Sequence, residues 1–332
     1  MRKEAIRKTV RGETERLRGL LQNAQTIAIV GHARPDGDAV GSTLALTLGI
    51  QRSGKEVVPI LADGVPNRFL FLPGAERVVR EIPAGIDLLI AVDCSDLERI
   101  GISPEKMPRE PDVNIDHHPT NTRFATVNLV VPDAAATAEL LYDVWSSLKL
   151  SMDEAIATNL LTGLVTDTIG FRTPNVTAKV LRVAGALMDA GAPLAKLYER
   201  SLHKRSFIEA RYWGCGLSRL EQADGVIWTS LTLEDRALVG YQEPDDADLI
   251  NLLTTVAGAK VTLIFVEQPN GKVKVSWRSI KGLSVAGLAE SFGGGGHDQA
   301  SGAMIQGTLD EVKVLVLAST QAVVNDHLET GI

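Results

Sequence analysis

Within seven residues the chain carries a histidine and two aspartates, in the run His32-Ala33-Arg34-Pro35-Asp36-Gly37-Asp38. Imidazole and carboxylate groups without thiolate suit hard or borderline divalent cations. Pro35 and Gly37 keep this stretch irregular, so the two carboxylates can turn to neighbouring positions and serve two different ions. A plainer reading has Asp38 capping a helix that begins near Ala39. Residues of the same types recur further on: Asp93, Asp116-His117-His118, and Asp167 within Thr166-Asp167-Thr168. Asp36, Asp38, Asp93 and Asp167 together bring four negative charges. Two divalent ions would neutralise them, whereas one would leave the site hostile to a phosphate.

The elements that must position these groups follow from hydrophobic patterning. Residues 26–30 form an apolar run that reads as a buried strand, as do 87–92, which end at Asp93, and the shorter 111–115, which end at Asp116. A helix over 39–51, stopped by Gly54, and a strand over 56–61 complete a βαβ rhythm. The fold class is therefore α/β, with a mainly parallel sheet flanked by helices, and ligands belong beyond the carboxyl ends of its strands. Helices are expected at 137–148, 153–164 and 177–189. The first domain then spans residues 1–193, a helical connector 194–222, and a smaller mixed α/β domain 223–332. In that last domain strands are read at 226–233 and 261–266, helices at 246–257, 284–291 and 309–328, and Pro269-Asn270-Gly271 marks a hairpin turn into a strand at 272–279.

The 332 residues exceed most single cores, and 45% hydrophobic content describes a globular chain. No apolar run approaches the roughly 18 residues needed to span a bilayer, so the expectation is a soluble, cytoplasmic protein with no membrane partner. Residues 1–20 hold seven Lys or Arg interrupted by three Glu, the pattern of a surface helix rather than a targeting peptide. A net charge of −7 excludes a protein that coats long nucleic acid through a broad basic surface, but not one with a focused phosphate site. Cys94 and Cys215 match no metal or redox spacing and read as reduced thiols.

The combination of His32-Ala33-Arg34-Pro35-Asp36-Gly37-Asp38, Asp93, Asp116-His117-His118, Thr166-Asp167-Thr168 and Gly293-Gly294-Gly295-Gly296-His297, in that order, strongly resembles the DHH family of phosphoesterases with its DHH-associated domain. One departure is Ser301, where these proteins often have alanine. The resemblance implies that His32, Asp36 and Asp93 hold one ion. Asp38, Asp93, His117 and Asp167 hold the other, which makes Asp93 the bridge and a catalytic residue. Asp116 would lie just outside and orient an imidazole, and His118 would face the scissile phosphate. The ions would be Mn²⁺, or Mg²⁺ in its place, lowering the pKa of an attacking water, with no covalent intermediate.

Substrate phosphate needs a further positive group. Period-two alternation puts Lys272, Lys274, Ser276 and Arg278 on one strand face. Arg278 and Ser279 occupy the position where the family binds phosphate, and a guanidinium can grip phosphate with two hydrogen bonds. Gly294, Gly295 and Gly296 before His297 would let backbone N–H groups approach an anion, in the cleft between domains. Arg172 reads as structural. The branch resembled most implies hydrolysis of very short RNA to mononucleotides and of 3′-phosphoadenosine 5′-phosphate to AMP. The partners are then short single-stranded RNA or DNA oligonucleotides, nucleotide bisphosphates or dinucleotides. Alternatives are a cyclic- or linear-dinucleotide phosphodiesterase and, in another class, an inactive nucleotide-binding module. The oligomeric state is open, a homodimer included.

Overall fold

A computed structural model describes residues 2–330, except for the side chains of residues 2–8, 203 and 328–330. The chain divides into two units between Lys204 and Arg205, inside the stretch expected as a connector. No helix among the described residues is long and apolar enough to cross a membrane.

The first unit contains α1 (Arg2–Asn23), β1 (Thr26–Val30), α2 (Gly37–Gln51), β2 (Glu56–Ile60), β3 (Leu88–Val92), β4 (Val113–Asp116), β5 (Val127–Val130), α3 (Thr137–Trp145), α4 (Glu154–Asp167), α5 (Ala178–Asp189) and α6 (Leu194–Tyr198). The strands form a five-stranded sheet in the order β2-β1-β3-β4-β5, parallel throughout. Strand β3 is buried along its whole length, which is why its sequence is continuously apolar instead of alternating. Strand β5, which the sequence reading did not distinguish, pairs with β4 and forms the sheet edge. One face packs Ile27, Ile29, Ile90 and Val92 with residues of α1 to α5. The other, carrying Ala28, Val30, Leu89 and Ala91, is covered by loop and 3₁₀ residues such as Ile82 and Ile100. The strand order changes its direction of progression across the sheet between β1 and β3, the crevice where doubly wound sheets place their ligands. His32 and Asp93 leave those two strands, and Asp116-His117-His118 leaves the next.

Helix α2 starts at Gly37, two residues before the expected position, with Asp36 as its cap: the Asp36 carboxylate accepts from the Asp38 and Ala39 N–H groups at 3.0 and 3.1 Å. Asp38 is therefore not the capping residue, and its carboxylate is committed elsewhere. Helices α2 and α4 approach closely because both present glycine. A Cβ on Gly41 would lie 2.3 Å from the Asn159 carbonyl oxygen, and one on Gly163 would lie 2.4 Å from Asp38 Oδ1.

The second unit contains α7 (Phe207–Leu217), β6 (Glu221–Ala223), β7 (Val226–Leu231), α8 (Leu233–Val239), α9 (Leu249–Leu253), β8 (Val261–Gln268), β9 (Lys272–Ser279), α10 (Ala286–Ser291), β10 (Gly295–His297), β11 (Ala300–Gln306) and α11 (Leu309–Thr330). Its sheet runs β10-β11-β9-β8-β7-β6, antiparallel except for β7 with β8. Asn270 and Gly271 both take positive φ, 71° and 65°, and reverse the chain between β8 and β9. Alternation along β9 buries Val273, Val275 and Trp277, with Trp277 Nε1 donating to Thr320 Oγ1 at 3.1 Å. The helix read over 246–257 shortens to α9, since Asp246 spends its carboxylate on the Ile250 N–H at 2.9 Å to start it.

Gly41→Ala forces the α4 backbone away from α2 and is expected to destabilise the first unit by about 1–3 kcal/mol. A urea midpoint equal to that of the wild type would show that the two helices are not in contact there.

Candidate metal centre

His32 and Asp93 meet at the crevice between β1 and β3. His32 Nε2 lies 3.6 Å from Asp93 Oδ2 and 3.7 Å from Asp36 Oδ1. On the other side of the same carboxylate, Asp93 Oδ1 lies 3.7 Å from His117 Nε2 and 3.7 Å from His118 Nδ1. His117 Nε2 lies 3.1 Å from Asp167 Oδ2, at the carboxyl end of α4. The donor atoms of His32, Asp36 and Asp93 fall into one group close enough to hold an ion, and those of Asp38, His117 and Asp167 into another. A third group joins Asp93 with His117 and His118. All six sequence-designated ligands are therefore brought together, with Asp93 facing both sides.

The histidines are set for this by their other ring nitrogen. His32 Nδ1 lies 2.9 Å from the Ala33 carbonyl, and His117 Nδ1 lies 3.2 Å from that of Ala134. A carbonyl only accepts, so Nδ1 carries a hydrogen, and it is the neutral form of each ring that offers an Nε2 lone pair toward the carboxylates. His118 Nδ1 is 2.7 Å from Asp116 Oδ1, and Asn121 Nδ2 donates to Asp116 Oδ2 at 2.6 Å and to the Cys94 carbonyl at 3.0 Å.

Asp38 is fully buried. Its Oδ2 accepts from the Thr137 N–H at 2.6 Å, and its Oδ1 accepts from the Ala138 N–H and the Ser42 hydroxyl, each at 3.0 Å. Three of about four lone-pair directions are thus occupied, and one remains for a cation. The positive end of α3 faces the carboxylate and stabilises its charge. Thr137, Asn121 and Ser42 were not singled out from the sequence. Thr137 reaches its targets from a distant part of the chain, Ser42 from the next helix turn and Asn121 from the loop five residues after Asp116, and the small-residue run 134–136 before Thr137 is the one local hint of close packing.

Electrostatics leave the centre short of positive charge. Burial works against a charged His32 ring, but the adjacent Asp36 carboxylate and the charge of Asp93 outweigh it and lift its pKa to about 9. Burial, reinforced by the Asp36 charge, raises Asp93 to about 6. Burial and the Asp93 and Asp167 charges hold Asp38 well above the usual carboxylate range. His117 is raised despite its burial, chiefly by its hydrogen bond to Asp167. These groups retain protons where cations would otherwise sit, and a nitrogen and oxygen donor set of this kind fits divalent cations.

The other designated residues lie in the second unit. Arg278 is half-buried and donates from Nη1 to the Trp277 carbonyl at 2.9 Å; burial lowers its pKa against the opposing pull of Asp246 and Asp248. The Ser279 hydroxyl lies 2.5 Å from the Leu283 carbonyl and 3.4 Å from that of Asp298, so its one hydrogen is committed to backbone. Residues 293–296 are not a free loop, because Gly295–His297 pairs with β11. A Cβ on Gly294 would fall 2.1 Å from the Gly302 carbonyl oxygen, and one on Gly296, at φ 144°, 2.5 Å from that of Ala300. Gly294 and Gly296 are thus demanded by backbone proximity, and an exposed backbone surface is left at 295–296. Ser301 donates its hydroxyl to the His297 carbonyl at 2.7 Å. Arg172 is exposed.

Residues 26–164 match the model of the DHH family, N-terminal domain, and residues 241–325 that of the DHHA1 domain. The chain is 38% identical over 301 residues to the bifunctional oligoribonuclease and PAP phosphatase NrnA of Thermus thermophilus, covering 89% of each. It is 30% identical over 311 residues to the protein of the same name from Bacillus subtilis, covering 91% of this chain and 96% of that one. The solved structure of an exopolyphosphatase-related protein from Bacteroides fragilis shares the fold, with a TM-score of 0.86 at 23% identity, over 95% of this chain and 96% of that one.

A cation needs the neutral His32 ring, so divalent-cation affinity is expected to climb with pH and level off above about 9. In the cation-free chain the same raised pKa contributes stability that is complete below the ordinary value of 6.5 and lost as pH rises through about 9. Calorimetry in buffers of different ionisation enthalpy reads the released protons. Affinity unchanged from pH 6 to 9 would contradict the assignment.

Proposed function

Because the chain belongs to the DHH family of phosphoesterases and is a hydrolase of phosphoester bonds, we propose that it cleaves short oligoribonucleotides to mononucleotides and 3′-phosphoadenosine 5′-phosphate to AMP, with two Mn²⁺ ions. The observation that carries this reading is the double-sided Asp93 carboxylate, with His32 on Oδ2, Asp36 beside that same imidazole, and His117 and His118 on Oδ1.

His32, Asp36 and Asp93 would hold one ion, and Asp38, Asp93, His117 and Asp167 the other. When bound, such a pair supplies neutralisation of phosphoryl charge and a lowered pKa for the attacking water. The chain contributes the geometry. Asp93 sets the two sites against one carboxylate, and the Nδ1 contacts of His32 and His117 hold their rings in the tautomer that offers Nε2. His118, oriented by Asp116, is assigned to the phosphoryl group; burial opposes a charge on its ring, and the hydrogen bond to Asp116 outweighs it and raises its pKa. In the second unit Arg278 and the exposed backbone at 295–296, with His297, are assigned to a further substrate phosphate. Ser279, whose hydroxyl meets the Leu283 carbonyl, is assigned to the same phosphate beside Arg278. A grip on one phosphate favours chains of a few nucleotides over long duplexes.

The test is a set of parallel assays with Mn²⁺ on a 5′-phosphorylated dinucleotide, a longer oligonucleotide, 3′-phosphoadenosine 5′-phosphate and a cyclic dinucleotide. The dinucleotide and the bisphosphate are expected to be hydrolysed fastest, and preference for the cyclic dinucleotide would replace this reading with the phosphodiesterase one. Arg278→Ala is expected to raise KM for the dinucleotide about 10- to 100-fold, the value of charge-assisted hydrogen bonds, with cation affinity unchanged. An unaltered KM for both short substrates would remove Arg278 from the site.

A further inference from the structure

Thr137, at the start of α3, is fully buried and touches two candidate ligands at once. Its hydroxyl donates to Asp93 Oδ1 at 2.8 Å, and its backbone N–H donates to Asp38 Oδ2 at 2.6 Å. The residues around it make related contacts. The Ala134 carbonyl faces His117 Nδ1, and the Ala138 N–H donates to Asp38 Oδ1. The Ala135 N–H is held by buried Glu139 at 2.6 Å, which pairs in turn with Lys179 at 2.8 Å. One short segment therefore reaches three ligands from outside. Thr137 supplies the one contact that a side chain makes.

We propose that Thr137 is a positioning residue that fixes the rotation of the Asp93 carboxylate, so that Oδ1 and Oδ2 each face one of the two cation sites. The terminal torsion of an aspartate is broad and roughly two-fold, so packing alone restrains it weakly. The surrounding histidine nitrogens stand 3.6–3.7 Å away, beyond hydrogen-bond length, whereas the Thr137 hydroxyl stands within it. The Asp93 backbone lies at φ 59°, a conformation that a non-glycine residue holds only when its surroundings impose it. A hydroxyl donor on Oδ1 occupies one lone pair and leaves the other for the ion beside His117. Groups that orient a ligating carboxylate in this way change metal affinity by about 10- to 100-fold when removed.

This inference rests on the two-cation reading, and its test separates the two. Wild type, Thr137→Val and Thr137→Ser are titrated with Mn²⁺ by calorimetry as full chains, and kcat and KM are measured on the dinucleotide. Valine keeps the shape and the backbone N–H but removes the hydroxyl; serine keeps the hydroxyl and removes the methyl. The expected result is an affinity for Mn²⁺ weaker by about 10- to 100-fold in the valine variant and restored in the serine variant. Wild-type affinity in Thr137→Val, or a Thr137→Ser as weak as Thr137→Val, overturns the role of the hydroxyl. Failure of the wild type to bind Mn²⁺ overturns the cation reading itself and this inference with it. Should the valine variant not fold, Thr137→Ala against Thr137→Ser carries the same contrast.

Discussion

The structure depends on holding four carboxylates of like charge around one buried point. Asp36, Asp38, Asp93 and Asp167 repel each other, and burial adds to the cost of ionising them together. The fold meets that cost in part with imidazoles and with the first N–H groups of α3, and the remainder appears as protons retained on His32, Asp93 and Asp38 above their ordinary pKa values. A centre arranged in this way is unsatisfied without added positive charge, which is the physical basis for assigning cations to it.

The rest of the first unit serves that convergence. Parallel strands β1, β3 and β4 end side by side, so residues distant in sequence leave the sheet as neighbours. Glycines at 41 and 163 let α2 and α4 approach until Asp38 and Asp167 can share a pocket with His117. Asp38 then receives the N-terminus of α3, so the helix end that needs acceptors and the carboxylate that needs donors satisfy each other.

The second unit presents a stretch of backbone with no side chains over it. Its glycine hairpin does this through close pairing with β11, where Ser301 fills the space that Gly296 leaves and closes on the His297 carbonyl. The departure from alanine at position 301 thus has a local role in the fold.

Much of this was legible in the sequence, and for a physical reason. Strands such as β1, β3 and β9 declare themselves through local burial patterns, and the acid and imidazole residues at strand ends declare their chemistry by type. Asn270-Gly271 acts on the backbone within a few residues, so the hairpin turn could be read directly, whereas Gly37, read as part of an irregular loop, begins α2 and is glycine because Thr166 lies against it. What could not be read depends on contacts across the chain. Strand β5 is four residues long and β10 is Gly-Gly-His, the one too short and the other too poor in apolar side chains to leave a periodic signal. The capping role passed to Asp36 because the carboxylate of Asp38 was claimed by α3, 99 residues on. Residue type and spacing determined which groups could bind cations and phosphate. Only the tertiary structure decided that Asp93 shows one oxygen to each cluster, because the orientation of a carboxylate is set by donors such as Thr137 that sequence proximity does not bring near.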